Sequence, residues 1–204
     1  MNEKNKNIIL YAIAGIFSFT LFLMIINSII LRDYYSLFWY CYTAILLIII
    51  GLLTKNAKLI LSQVIILAIP DLFWIFDFFY LIFTGHSLLG LVKNFPNDSL
   101  FNKITNLQHL YIVPFSLLAL SLLKIKKNYK VLLVGIGEII LIFLVTLFFI
   151  PASSIINCIN VNCIDINLIF LPPYLLWFIF TFSFVIISYL IITSLPFIKK
   201  YNKN

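Results

Sequence analysis

Apolar positions in this chain come in long runs rather than in the alternation of half-buried strands. A helix needs about 20 residues to cross about 30 Å of hydrocarbon. Six runs are of that order, at approximately 8–31, 34–53, 58–84, 107–123, 130–150 and 168–195. No sustained period-2 alternation supports a closed barrel of strands. The pattern predicts an all-α polytopic membrane protein: one integral membrane domain over 1–204, built as a bundle of six transmembrane helices. The third and sixth runs are long enough to tilt or kink, with Pro70 inside the third and Pro172–Pro173 near the start of the sixth. The first run is longer than a signal-peptide core and no small-x-small site follows it, so it reads as a retained helix.

Composition points the same way. Of 204 residues, 63% are hydrophobic and 10% charged, against roughly 45–50% and about 25% in soluble domains. Mean hydropathy is +1.12. The net charge of +7 would suit nucleic acid if it lay on one soluble face. Instead, the basic residues sit in short clusters between apolar runs, where they act as topology signals. Membrane lipids, not nucleic acid, are the partners implied, and the pattern sets no oligomeric state. Six spans put both termini on one side. With that side cytoplasmic, the inner segments hold 11 Lys or Arg and the outer segments 3, Arg32, Lys93 and Lys103. The positive-inside rule therefore predicts a multi-pass protein of the cell membrane with cytoplasmic N- and C-termini. The longer loops, about 85–106 and 151–167, then lie outside, where function tends to reside.

Three acids fall inside the runs: Asp71, Asp77 and Glu138. No Lys or Arg stands at mid-span to neutralise them, so each needs a proton, a cation or hydrogen-bond donors. Asp71 and Asp77 point about 120° apart on one helix, with Trp74 three residues from each. Each acid reads as a functional group or as a packing hydrogen bond. His109, in "NLQHLYIVP" at the outer start of the fourth run, matches Asp77 in depth better than Asp71. An Asp77–His109 pair is therefore expected, able to act as acid and base or to activate a hydroxyl. Tyr42 and Thr43 lie deep enough in the second run to line the same cavity. His86, in "TGHSLLG", reads as a loop residue near its mouth or as a solvated histidine. Glu138 follows Gly135 and Gly137, which suits close helix packing.

The segment "NCINVNC", 157–163, adds Asn160 and Asn162 as candidate binding residues. It also holds Cys158 and Cys163, close enough in sequence for a disulfide on the outer side. Cys41 reads as an inert thiol within the second run. No Walker loop, HExxH, GxSxG or DDxxD occurs, so the chain carries no motif that names a cofactor or metal.

Two resemblances rest on these residues. Trp74-x-x-Asp77-Phe78, the Thr84–Gly90 loop, His109 with Pro114, and Asn160-x-Asn162 resemble an uncharacterised group of prokaryotic "membrane-associated" polytopic proteins, which implies no activity. That group usually has Trp where this chain has Cys163. Thr43 and His109 are also similar in position to the Thr and His of the androgen-induced/FAR-17a family of six-helix lipid-ester hydrolases. The Lys before that Thr and the second His of that family are missing here. The resemblance implies a lipid hydrolase or transferase with Thr43 in the reaction. The residues themselves leave three expectations: a membrane-embedded enzyme acting on a lipid or amphiphile through an Asp/His site open to the outer leaflet, a proton-coupled transporter or small-molecule-binding protein using Asp71, Asp77 and Glu138, or a structural or assembly protein whose acids only fix packing.

Overall fold

The computed structural model describes residues 2–125, 128–151 and 172–200, and every regular element among them is helical. In chain order these are α1 (Glu3–Ile30), α2 (Tyr40–Leu53), α3 (Ala57–Thr84), α4 (Leu100–Asn106), α5 (Ile112–Leu123), α6 (Tyr129–Phe149), α7 (Pro173–Thr193) and α8 (Pro196–Lys200). Short 3-10 turns occupy Tyr34–Phe38, Phe95–Asn97 and Leu107–Leu110. The asparagines that flank the apolar runs have a local task. Asn2, Asn56 and Asn128 cap α1, α3 and α6, each side chain accepting first-turn backbone N–H groups. Three helices stop on a basic residue in the left-handed region, Arg32, Lys55 and Lys124, with φ of 54°, 54° and 56°. α3 stops on Gly85, φ 80°, whose N–H closes on Leu81 O.

α3 is the axis of the molecule. Nine consecutive residues, 60–68, are buried, so no stripe of this half-helix faces outward. α2, α5, α6 and α7 surround it. Gly51 of α2 permits the closest approach: a Cβ there would stand 2.7 Å from Ile60 Cγ1 and 3.3 Å from the backbone of Asn56 and Ile60. On the other side, Gly135 of α6 lies against Ile65. The outer helices are different, for only 33% of the apolar windows of α1, α6 and α7 is buried, against 56% for α3. Their remaining faces carry bare Phe, Leu and Ile such as Phe148 and Phe149, an exposure that suits lipid tails and not water.

Among the described residues, five helical stretches are long and apolar enough to cross a membrane: α1, α3, Leu100–Leu123, α6 and α7. The predicted second span, 34–53, is not one helix. Trp39 is extended (φ −62°, ψ 141°) and separates the 3-10 turn from α2. That leaves α2 with 14 residues, or about 21 Å, short of a full crossing. The outer loop expected at 85–106 is likewise more ordered than its polarity suggests, since it contains α4 capped by Ser99. The sixth predicted run is helical from Pro173, and its first residues lie outside the described residues.

Candidate functional site

Asp77 does not meet His109. It sits seven residues before the end of α3, and the chain beyond Gly85 folds back over it. The N–H groups of Leu88 and Leu89 donate to Oδ1 at 2.7 and 2.9 Å. Ser87 Oγ and the N–H groups of Leu91 and Val92 donate to Oδ2 at 2.7, 2.9 and 3.2 Å. Ser87 Oγ also accepts from Gly90 N–H, and Gly90 takes φ 81° to make the turn. The result is a nest of donors around one fully buried carboxylate. The Trp-x-x-Asp-Phe and Thr-Gly-x-x-Leu-Leu-Gly motifs are thus two halves of one device: the acid and the loop it holds. Asp77 is saturated with donors and has no lone pair turned toward a reactant.

His109 pairs instead with Asp71, Nδ1 to Oδ1 at 2.8 Å. Depth explains the exchange. The sequence places His109 at the start of its run, whereas helix already begins at Leu100 with α4 and continues into the 3-10 turn Leu107–Leu110, which packs against α3. His109 therefore arrives a level deeper, at Asp71. The carboxyl side chain of Asp71 is 3% accessible and the imidazole 17%. Trp74, one turn after Asp71, lays its ring 4.8 Å from that of His109 and also stacks on Phe78 at 5.1 Å. The imidazole is thus fixed by a carboxyl on one edge and an indole on one face. An ionised Asp71 takes the Nδ1 proton in its hydrogen bond, which leaves Nε2 as the working nitrogen. No protein group described here bonds Nε2.

Two more residues belong to this neighbourhood. Gln108 is buried, and Cys41 lies near both Gln108 and Asp71, so Cys41 is a neighbour of the dyad and not a bystander in a helix. Gln108 Oε1 and Asp71 Oδ2 are both buried without a partner. A Gln directly before the candidate His is the sequence signal for this polar patch. Among the described residues no three of His, Cys, Asp and Glu stand close enough together to hold a metal ion.

The other candidates lie elsewhere. The Tyr42 hydroxyl is 3.3 Å from Ser28 Oγ and ties α2 to α1. Thr43 Oγ1 donates to Tyr40 O at 3.0 Å, and no hydrogen bond joins it to His109. His86 is exposed, with Nδ1 3.2 Å from Thr84 O and its ring edge-on to Tyr80. Asn160, Asn162, Cys158 and Cys163 lie outside the described residues. A groove of about 550 Å³ is present, but it runs along α1 beside Gly15, Thr20, Ile104, Thr105 and Tyr111. None of Asp77, His109, Tyr42 and Thr43, the set expected to share one polar cavity, lines it. Comparison with protein-family models, with curated proteins and with solved structures finds no match to this chain.

Proposed function

We propose that the chain is a multi-pass membrane enzyme that acts on a lipid or another amphiphile, with His109 as its acid–base group and Asp71 as the residue that positions it. The carrying observation is the 2.8 Å bond from His109 Nδ1 to Asp71 Oδ1, with Nε2 left unbonded. A carboxylate behind an imidazole fixes the tautomer and orientation needed for proton transfer, the arrangement used to activate a hydroxyl or a water. The partnerless oxygens of Asp71 and Gln108 support a polar substrate group or water at the same place. The bare apolar faces of the outer helices support a substrate that arrives sideways through the bilayer. Hydrolysis or transfer of an ester fits these parts, with water or a substrate hydroxyl as the nucleophile activated at Nε2. In this reading six spans carry both termini on the cytoplasmic side, and the site opens toward the outer leaflet. The test is turnover by the purified chain in mixed micelles, using fluorescent glycerolipid and fatty-acid esters. His109→Gln and Asp71→Asn should each remove turnover while helicity is kept. Full turnover by folded His109→Gln would end the proposal.

A further inference from the structure

A second buried acid stands apart from the dyad. Glu138 of α6 is half-buried, and its Oε2 accepts from the Gln63 amide of α3 at 2.7 Å. The same Nε2 donates to Ser62 Oγ at 3.1 Å, so both amide hydrogens are used. The other end of the amide is not satisfied. Gln63 is 0% exposed and its Oε1 has no partner. An orphaned buried acceptor of this kind loses its bond to water and gains none in return. The ionised carboxylate of Glu138 has no hydrogen to give it, whereas a carboxylic acid has one. A neutral Glu138 facing a primary amide forms a reciprocal pair, acid O–H to amide oxygen and amide N–H to acid oxygen. With the amide turned to bring Oε1 to the acid, the pair uses the buried acceptor and leaves no net charge between the helices.

The backbone prepares this contact. Gly135, one turn before Glu138, lies so close to α3 that a Cβ would be 3.3 Å from Ile65. Gly137 has nothing within 4 Å of its Cβ position, so the flank of Glu138 is open. The titratable groups on the neighbouring helices are Tyr40, Cys41 and Tyr42 of α2, which reaches α6 through Tyr40, Asp71, Asp77 and Tyr80 of α3, and Tyr174 and Tyr189 of α7, with Lys58 exposed at the start of α3. His109 and the 87–92 loop engage the two aspartates. Of the rest, Tyr40 lies close enough to Glu138 for the two to interact through space. No ion pair reaches Glu138 among the described residues.

We infer that Glu138 and Gln63 form a proton-binding site at the α3–α6 contact, in which a neutral Glu138 carboxyl is held by the Gln63 amide and exchanges its proton through the open flank beside Gly137. The inference shares the membrane reading with the proposed enzyme and is independent of catalysis at His109. Dicyclohexylcarbodiimide tests it directly, because this apolar reagent partitions into micelles and bilayers and attacks protonated carboxyls. The acid oxygen bonds to the central carbodiimide carbon, the acid proton passes to a nitrogen, and the adduct rearranges to an N-acylurea that retains every atom of the reagent. Peptide mass spectrometry of the full-length chain in micelles should find this adduct at Glu138. Labelling should fall at least about tenfold as the pH is raised from about 6 to about 9, and sodium chloride should give no more protection than choline chloride. Glu138→Gln should abolish the adduct. Absence of an adduct on the folded chain at about pH 6, or labelling indifferent to pH, would overturn the inference. Protection by sodium would overturn it too, by making the occupant a metal cation.

Discussion

Asp71 and Asp77 share a helix and a degree of burial, yet one holds an imidazole and the other holds a loop. Their substitutions should separate. Asp71→Asn keeps the size of the side chain and disturbs only the tautomer and aim of His109, so turnover should drop about 10²-fold or more with little change in melting temperature. Because the two residues act as a unit, the Asp71→Asn/His109→Gln double variant should be no slower than His109→Gln, as initial rates would show. Asp77→Asn should do the reverse. It turns an NH2 group toward backbone donors and weakens hydrogen bonds worth about 1.5–3 kcal/mol each to a charged acceptor. Hydrogen exchange at Leu88, Leu89, Leu91 and Val92 should then accelerate, while unaltered exchange there would remove the nest from the energetics. The sequence announces that both acids are buried and unpaired with Lys or Arg. It does not announce which one meets His109, because that depends on how far the chain descends before residue 109. The short α4 that brings it down has too little apolar length to be seen as a pattern.

Among the elements, α3 carries the fold, and it is legible as the apolar run 58–84, although only its first half, 60–68, is buried all round. The ends of that run match the helix Ala57–Thr84 closely, since Asn56 and Gly85 are strong start and stop signals. The second run is legible only as apolar. Its first half is held as a turn by Ser36, whose Oγ meets Ser28 Oγ at 2.6 Å and donates to Asp33 O at 2.7 Å, and the break at Trp39 needs no Gly or Pro. Where α2 meets α3, Gly51 is the element-scale test. Gly51→Ala puts a Cβ into Ile60 and the Asn56 backbone. It should lower stability by about 1–3 kcal/mol, read as a lower midpoint in thermal or denaturant unfolding followed by circular dichroism. Gly15→Ala, where a Cβ meets nothing within 4 Å, is the matched control and should leave the midpoint in place.

For the whole molecule, the 11-to-3 division of Lys and Arg depends on six crossings, and α2 is the crossing in question. Reporter tags at the two termini should both read cytoplasmic, and Asn97→Cys should react with an impermeant maleimide from outside. A C-terminus read outside would mean that the 14 residues of α2 dip into the bilayer and return. Charge patterning speaks for the even count and helix length for the odd one, and each is a separate physical constraint. The nest around Asp77 has a further consequence, for biosynthesis. Its donors are supplied by residues 87–92, which leave the ribosome after the helix they serve. Until then α3 carries an unsatisfied acid, and an Asp inside a translocating helix is unfavourable, by up to about 2.5–3.5 kcal/mol where it stands at the centre. A nascent chain halted before Ser87 is emitted should hold α3 loosely and let it slip back, whereas one extended through Val92 should retain it. A membrane-inserted α3 should therefore lock in place not when its last apolar residue is made but about eight residues later, when the chain supplies the amides that allow its charge to stay.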